Sequence, residues 1–427
     1  MATEVTKADP SPFGMGPARN NERWGRARVL GLAVRAGLWT LAAVLLGLNA
    51  WWAWREIRPV ADLVTVSKWI TQGRAGEAER ALLETLRRSP HDGEARMLFA
   101  RILAQRGDSL GCARALRLVP FWWPDKPKML FLEGQALKSI DRRSEAEVAW
   151  KELTAMDPLH PMPDEFVSKA VLELMELYAL EERWDEAHAL IWRVYDQSEP
   201  ADRPPLLIMR MRTEVERVMP SRAAEQLRRF LKAVPGDWDA RRALARAEYA
   251  ADHKQEAIRL ILQCIDERPD DPRGWREYLT MLYEQGDQEG LRATLAKAPE
   301  ATAGDPEILR FKASALEKQA DWTGAAELYR RMVDKQPFNP DYLYRLATVE
   351  QRLGFVDLAR THRDRSRVVR TARADLTTAF QKYLDVSRVP QPDPHELAAA
   401  VGRLSTLCEA LGWPREAQAW ARLAPPE

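Results

Sequence analysis

The chain has 427 residues, 30% of them charged, with 64 lysines and arginines against 63 aspartates and glutamates and a formal net charge of +1. That balance argues against general nucleic-acid binding, which needs a strong excess of positive charge to displace counterions. The length is too great for one small core, and alternating strand-like runs and glycine clusters are missing, so the composition points to an all-helical protein.

Residues 1–29 read as a disordered basic tail, with Pro10, Pro12 and Pro17 among scattered glycines. Residues 30–54 are expected to form a transmembrane anchor. Their core, AGLWTLAAVLLGLNAWWAW from Ala36 to Trp54, is nineteen residues without a charge. As a helix this spans roughly 28 Å, a bilayer's hydrocarbon thickness. The exit is bulky at Leu48, Trp51 and Trp52, unlike a signal-peptide cleavage site, so the segment is expected to be retained. Trp39 at one end and Trp51, Trp52 and Trp54 at the other suit the two interfaces, and Arg35 can snorkel to head groups. Arg19, Arg23, Arg26, Arg28 and Arg35 precede the run, whereas Arg55, Arg58 and Lys68 follow it. This bias favours an inside N-terminus and an outside C-terminal bulk.

Beyond the anchor a period dominates. Prolines stand at 90, 124 and 158, then at 235, 269 and 337, the spacing being 34 residues or twice that. Between them one offset holds a small residue: Ala78, Cys112, Ala146, Ala187, Ala223, Ala257, Ala325 and Ala359, with Leu291 breaking the series. A fixed period of this length indicates a solenoid of helix pairs, and small side chains let the two helices approach closely.

In this the chain resembles the tetratricopeptide repeat family over roughly residues 59 to 427. The clearest copies are MLFLEGQALKSIDRRSEAEVAWKELTAMDP, DARRALARAEYAADHKQEAIRLILQCIDERP and PEILRFKASALEKQADWTGAAELYRRMVDKQP. Gly134, Ala245, Ala313 and Ala347 fall at the family's small position in the first helix, and Gly73, Gly107, Gly286 and Gly354 at its turn. Val66, Met175, Met211 and Leu279 replace the first small residue, and the spacing stretches between 158 and 204, read here as a longer inter-repeat connection. After Ala359 the second helix is expected to run on until VPQPDP breaks it. The implied fold is an all-α, right-handed α-solenoid of about nine to ten tetratricopeptide helix pairs over residues 59–388, preceded by one transmembrane helix. Residues 395–427, with Gly412 and Ala417 at the repeat offsets, form a C-terminal capping pair.

Motifs for chemistry are sparse. His91, His160, His188, His253, His362 and His395 show no metal-ligand spacing and are expected at the surface. Cys112, Cys264 and Cys408 lie several repeats apart and are expected as buried thiols, with neither disulfide nor zinc site. P-loop, GxSxG and Rossmann patterns are absent from the sequence. No cofactor, metal or enzymatic activity is therefore expected.

The resemblance implies a concave groove lined by the first helix of each pair, binding a protein or peptide. Its groove positions are Arg212, Arg242, Arg246, Arg276 and Arg310, accompanied by Tyr249, Tyr283 and Tyr344. Stacked guanidinium groups there suit peptide carboxylates. Glu176, Asp239, Glu307, Glu317 and Asp341 share the face, leaving intramolecular pairing as the alternative. Two further candidates are the basic run from Arg360 to Arg373 and VPFWWPDKP at 119–127. The aromatics of the latter are expected to pack into a neighbouring groove. The functional expectation is a membrane-tethered scaffold, single-pass in a bacterial inner membrane with its repeats in the periplasm, gathering proteins during envelope assembly or maturation. A cytoplasm-facing adaptor and the helical arm of a cell-wall enzyme are the alternatives.

Overall fold

The computed structural model describes residues 41, 43–51, 62–156, 164–216 and 218–424, and every regular element among them is helical. Residues 41 and 43–51 are helical; the 1–29 tail and the rest of the 30–54 segment lie outside the described residues. Among the described residues no helix is long and apolar enough to cross a membrane.

The chain divides into two units, residues 1–102 and 103–427. The first holds α1 (Leu63–Thr71), α2 (Ala75–Arg88) and most of α3 (Gly93–Gln105). Val66, Ile70, Ala78, Leu82, Ala95, Leu98 and Ile102 form its core. The second continues with α4 (Ser109–Arg117), α5 (Lys126–Lys138), α6 (Arg143–Thr154), α7 (Asp164–Glu181), α8 (Trp184–Gln197), α9 (Arg203–Val215), α10 (Pro220–Ala233), α11 (Trp238–Ala250) and α12 (Lys254–Glu267). It ends with α13 (Pro272–Gln285), α14 (Gln288–Lys297), α15 (Pro306–Lys318), α16 (Trp322–Lys335), α17 (Pro340–Arg352), α18 (Val356–Ser387), α19 (Pro394–Ala410) and α20 (Pro414–Ala421). The described helices thus make ten pairs in sequence; α18 is 32 residues long and is followed by the last pair, α19 and α20.

Local chemistry sets the helix starts. Asp271, Asp305, Asn339 and Asp393 each precede a proline and accept a hydrogen bond from a backbone N–H of the following turn. The side chain satisfies an orphan donor while proline fixes the first helical φ. Within pairs the small offset is a packing device. Ala78, Ala146, Ala187, Ala257 and Ala325 have no exposed surface, and a Cβ built on Gly134 would come within 2.2 Å of Trp150 Nε1.

In nine of the ten pairs the turn reverses the chain through one left-handed residue. Gly73, Gly107, Gly286, Gly354 and Gly412 have φ between 74° and 85°, and Asp141, Glu182, Asp252 and Ala320 adopt φ between 52° and 67° at the same place. Four of these turns are not glycine, which is why the glycines alone mark only part of the period. From residue 73 to 107 to 141, and from 252 to 286 to 320 to 354, the steps are all 34 residues.

The fifth pair, α9 and α10, departs from this rule. Among the described residues of its connection none has positive φ; Glu216 and Met219 are extended, with ψ 140° and 127°. Pro220 accounts for the second, since a residue before proline is pushed out of the helical region. Without the tight turn α9 does not fold back on α10. It packs instead on α8 and on the C-terminal helices α18 and α20, while α7 packs directly on α11. Leu177 and Leu180 of α7 fill the vacated place, sharing a core with Ala223, Leu227 and Phe230 of α10 and Trp238 and Leu244 of α11. Leu206, Leu207 and Met211 of α9 join a core containing Phe380, Tyr383, Leu404 and Trp420.

The stretch from 158 to 204 therefore differs from the long connection expected of it. Residues 164–197 form a complete pair, α7 and α8. The extra length sits in the eighteen-residue α7 and in residues 157–163, outside the described set.

Replacing Ala320, which is exposed at φ 59°, by glycine removes the Cβ clash of a left-handed turn. Ala320→Gly should stabilise the protein by about 0.5–1 kcal/mol, and urea unfolding should show a higher midpoint; an unchanged or lower midpoint contradicts the turn's role.

Candidate functional site

The eight groove candidates share one property: nearly all are tied to neighbours. Arg242 lies in the core, 2% exposed, with Nη1 donating to Glu277 at 3.3 Å and Nη2 to the Glu181 carbonyl at 2.5 Å. Arg246 reaches Glu182 at 2.9 Å and Glu277 at 3.3 Å with half its side chain exposed. Tyr249 donates its hydroxyl to the Met281 carbonyl at 3.0 Å. Arg276 stands 3.8 Å from Asp305. Arg310 donates to Glu307 at 2.8 Å and stacks on Phe311 and Tyr283. Arg212 is on the displaced α9, 3.3 Å from Glu216, and so leaves the ladder formed by Arg246, Arg276 and Arg310. Tyr344 is 44% exposed beneath the Arg370 guanidinium.

The acidic residues of the same face are the other half of this lattice. Asp239 binds Arg273 at 2.8 Å, Asp341 binds Arg370 at 2.9 Å, and Glu317 and Glu307 accept the Tyr329 and Tyr342 hydroxyls. Glu176 is 3.4 Å from Lys138. Charges on successive first helices thus neutralise one another across repeats; of the candidates on the regular helices, Arg246 and Tyr344 are exposed and Arg276 and Arg310 half-buried.

Three expectations need correction. Phe121 and Trp122, expected to pack into a neighbouring groove, are 71% and 60% exposed; prolines 120 and 124 and the buried Lys126 ammonium, which donates to the Val119 carbonyl at 2.8 Å, hold their turn outward. His188 and His362 are half-buried and partnered rather than free at the surface. His188 Nε2 lies 2.9 Å from Thr213 Oγ1, and burial, aided by the Arg210 charge, pushes its pKa down to about 4. His362 Nδ1 lies 2.7 Å from the buried Glu350 carboxylate. In the basic run of α18, Arg360, Arg367 and Arg370 pair with Asp357, Asp364 and Asp341. His160 lies outside the described residues.

The cysteines are buried, free thiols, and burial pushes Cys264 and Cys408 up to about 12. Among the described residues no group of three or more histidine, cysteine or carboxylate side chains is placed to hold a metal.

Two features escaped sequence reading. The first is a clasp between α9 and the C-terminal pair. Arg210, 3% exposed, donates to Glu416 at 2.9 Å and to Glu214 at 2.8 Å, and stacks on Trp413. Beside it Arg415 reaches Asp196 at 2.5 Å and lies over Trp192. Partners about two hundred positions apart carry no local signal. The second is a crevice of about 260 Å³ opened by the shift of α9, lined by Met175, Ala179, Met209, Arg212 and Val218, with Glu176 and Glu216 at its mouth.

A tetratricopeptide repeat family model matches residues 70–110, 220–272, 291–340 and 310–367. Within these segments the chain carries tetratricopeptide repeats. No curated protein matches the sequence. Among solved structures, a chain of the APC/C hetero-tetramer Cut9–Hcn1 is similar at 12% identity over 83% of this chain and 78% of that one, with TM-score 0.33. The Pseudomonas aeruginosa pilF structure is similar at 16% identity over 52% of this chain and 91% of that one, with TM-score 0.32. MamA MSR-1 C2 is similar at 14% identity over 39% and 92%, with TM-score 0.29. The matched segments take in α2, α3, α10–α12, most of α14, α15–α17 and the start of α18, and leave out α5–α9, α13, α19 and α20.

Two measurements probe the buried charges. Glu416→Ala removes one of the two carboxylates on Arg210, leaving Glu214, and should cost about 2 kcal/mol, read as a lowered thermal midpoint; a shift within error would make the pair dispensable. Glu133 is 6% exposed, one of its oxygens has no hydrogen-bond partner, and burial pushes it up to about 7 against the pull of Arg117. Because the folded state holds this proton more tightly than the unfolded one, its contribution is best at acid pH and is lost as pH rises from about 4.3 to about 7. Glu133→Gln should therefore gain about 2 kcal/mol at pH 8 and nothing at pH 4; equal effects at both pH values contradict the assignment.

Proposed function

We propose that the protein is a membrane-tethered tetratricopeptide scaffold that gathers partner proteins. The observation that carries the scaffold reading is the repeat itself: the 34-residue recurrence of one left-handed turn stacks first helices whose side chains crosslink from pair to pair. Such a surface is rigid and extended, and it presents Arg246, Arg276, Arg310 and Tyr344 at repeat intervals for an extended or carboxylate-bearing peptide. Each of these arginines already has a carboxylate partner, so a peptide carboxylate competes with Glu277, Glu182, Asp305 or Glu307 for it. That favours ligands with several acidic groups over those with one.

The tether rests on the uncharged run from Ala36 to Trp54, and arginine placement before it supports a single pass in a bacterial inner membrane with the repeats in the periplasm. Tethering raises the effective concentration of anything bound. Envelope assembly or maturation is the setting in which such a periplasmic scaffold serves.

The test combines topology and capture in one strain. A C-terminal protease-sensitive tag should be cleaved in intact spheroplasts, and a photoreactive residue at position 344 should crosslink periplasmic or envelope proteins. Combined Arg246→Gln, Arg276→Gln and Arg310→Gln should reduce that capture about ten-fold or more with little change in thermal midpoint. A protected tag with cytoplasmic proteins captured overturns the periplasmic reading in favour of a cytoplasmic adaptor; undiminished capture by the triple variant removes the arginines from the site.

A further inference from the structure

Where α7 packs directly on α11, the contact is built around buried charge. Glu181, the last residue of α7, is 1% exposed, and Glu147 of α6, Arg183 just ahead of α8 and Asp237 just ahead of α11 are buried with it. One guanidinium serves three carboxylates. Arg183 grips Glu147 with both Nη atoms, at 2.8 and 2.9 Å, and donates from Nη1 to Glu181 at 2.9 Å and from Nε to Glu186 at 3.0 Å. Glu147 has Lys151 as a further partner at 2.5 Å, and Glu186 is partly open to water. Glu181 is the most deeply buried of the three, and among the described residues its carboxylate forms an ion pair with Arg183 only.

The other charges packed around this end of α7 are engaged elsewhere. From α11, Arg242 donates to the Glu181 backbone carbonyl at 2.5 Å and to Glu277 of α13 at 3.3 Å, and Arg246 reaches Glu182 at 2.9 Å. Arg273 of α13 holds Asp239 and Asp271, each at 2.8 Å. Arg143 of α6 turns to Glu173 and to the Phe230 ring of α10, and Lys138 of α5 meets α7 at Glu173 and Glu176. The Tyr178 ring of α7 lies against the Arg183 guanidinium at 4.7 Å. Asp237 caps α11 by accepting from the Ala240 N–H at 3.1 Å and, with Glu147, faces Glu181 as a like charge. An excess of carboxylate in a site that excludes water is relieved by a proton. Burial, with Asp237 and Glu147 adding to it, pushes the Glu181 carboxyl up to about 8 against the pull of Arg183.

We propose that the contact of α7 with α11 is a proton-gated joint: Glu181 holds a proton while the contact is packed, and loss of that proton loosens α7 from α11. Opening brings the carboxyl into water, where it ionises in the ordinary carboxylate range. Between the ordinary value of 4.5 and about 8 the open joint has released the proton and the packed one has kept it. The open fraction therefore rises about ten-fold per pH unit across that window and levels off above it. Because the packed-state value is the raised one, the joint is tightest in acid and weakens as pH climbs. Leu177 and Leu180 of α7 fill the place left by α9, so loosening acts at the one irregular position of the stack and leaves α16 and α17 packed. The inference depends on neither the groove nor the membrane reading.

Hydrogen–deuterium exchange of the full-length chain, corrected for the intrinsic pH dependence of amide exchange, reads the joint directly. Between pH 6 and pH 9, peptides from the end of α7 and the start of α11 should lose at least about ten-fold in protection while α16 and α17 change by less than about two-fold. Glu181→Gln, which fixes the neutral form, should keep both segments protected over the whole range, whereas Glu133→Gln in α5 should leave the loss in place. Asp237→Asn removes a like charge and still caps α11, so the pH at which the loss levels off should fall. Constant protection of α7 and α11 in the unsubstituted chain overturns the proposal, as does an undiminished loss in Glu181→Gln. A loss shared equally by α16 and α17 is global unfolding and also overturns it. Should Glu181→Gln fail to fold, an unchanged levelling pH in Asp237→Asn overturns the proposal by itself.

Discussion

The architecture depends on one backbone constraint, the left-handed residue that closes nine of the ten helix pairs. A positive φ lets the chain reverse within a few residues, so that the second helix returns against the first at the distance set by alanine, cysteine or glycine contacts. Glycine meets the requirement without strain, but aspartate, glutamate and alanine also meet it here, at a cost of order 1 kcal/mol each. That tolerance shows how strongly the stacked pairs determine the turn. The local penalty is offset by the burial of two apolar faces for every turn made.

Where the constraint lapses, the structure changes character. Glu216 and Met219 of the α9–α10 connection are extended, and among its described residues none has a positive φ. One helix is thereby released from the stack, and the two consequences are linked. α7 supplies Leu177 and Leu180 to the core that α9 leaves, while α9 carries Leu206, Leu207 and Met211 to the C-terminal pair. The buried Arg210–Glu416 pair then fixes the register of that contact. A buried ion pair adds little net stability over an apolar equivalent, yet misalignment is costly because it leaves a charge unpaired. Its contribution is specificity of docking.

Much of the fold was legible in the sequence because period and local chemistry coincide. Over most of the chain the prolines, the small offset and the turn glycines recur at 34 residues or twice that, and the long α18 and the helix pair after it follow from the absence and return of helix breakers. What escaped was whatever depends on distant partners. The residues from 164 to 197 are ordinary helix formers whose pattern was masked by a seven-residue slip, since the left-handed turns at 141 and 182 are 41 apart rather than 34. Arg210 and Glu416 were indistinguishable from other surface charges until the fold brought them together. The candidate arginines lie on first helices of their pairs, but motif position cannot tell a free guanidinium from one bound by the next repeat; Arg242 needed Glu277 and the Glu181 carbonyl to explain its burial.

The ion-pair lattice and the open crevice represent two ways for a repeat surface to meet a ligand. On the regular face every incoming carboxylate must displace one already present, so affinity there is a difference between similar interactions and selectivity follows from matching several exchanges at once. Beside the irregular α9, by contrast, Met175, Ala179 and Met209 meet Glu176, Arg212 and Glu216, so apolar and charged groups share one surface. Because α9 is held by α18 and α20, one wall of that surface depends on the docked C-terminal pair, which ties the integrity of the last repeat to a surface formed near the middle of the chain.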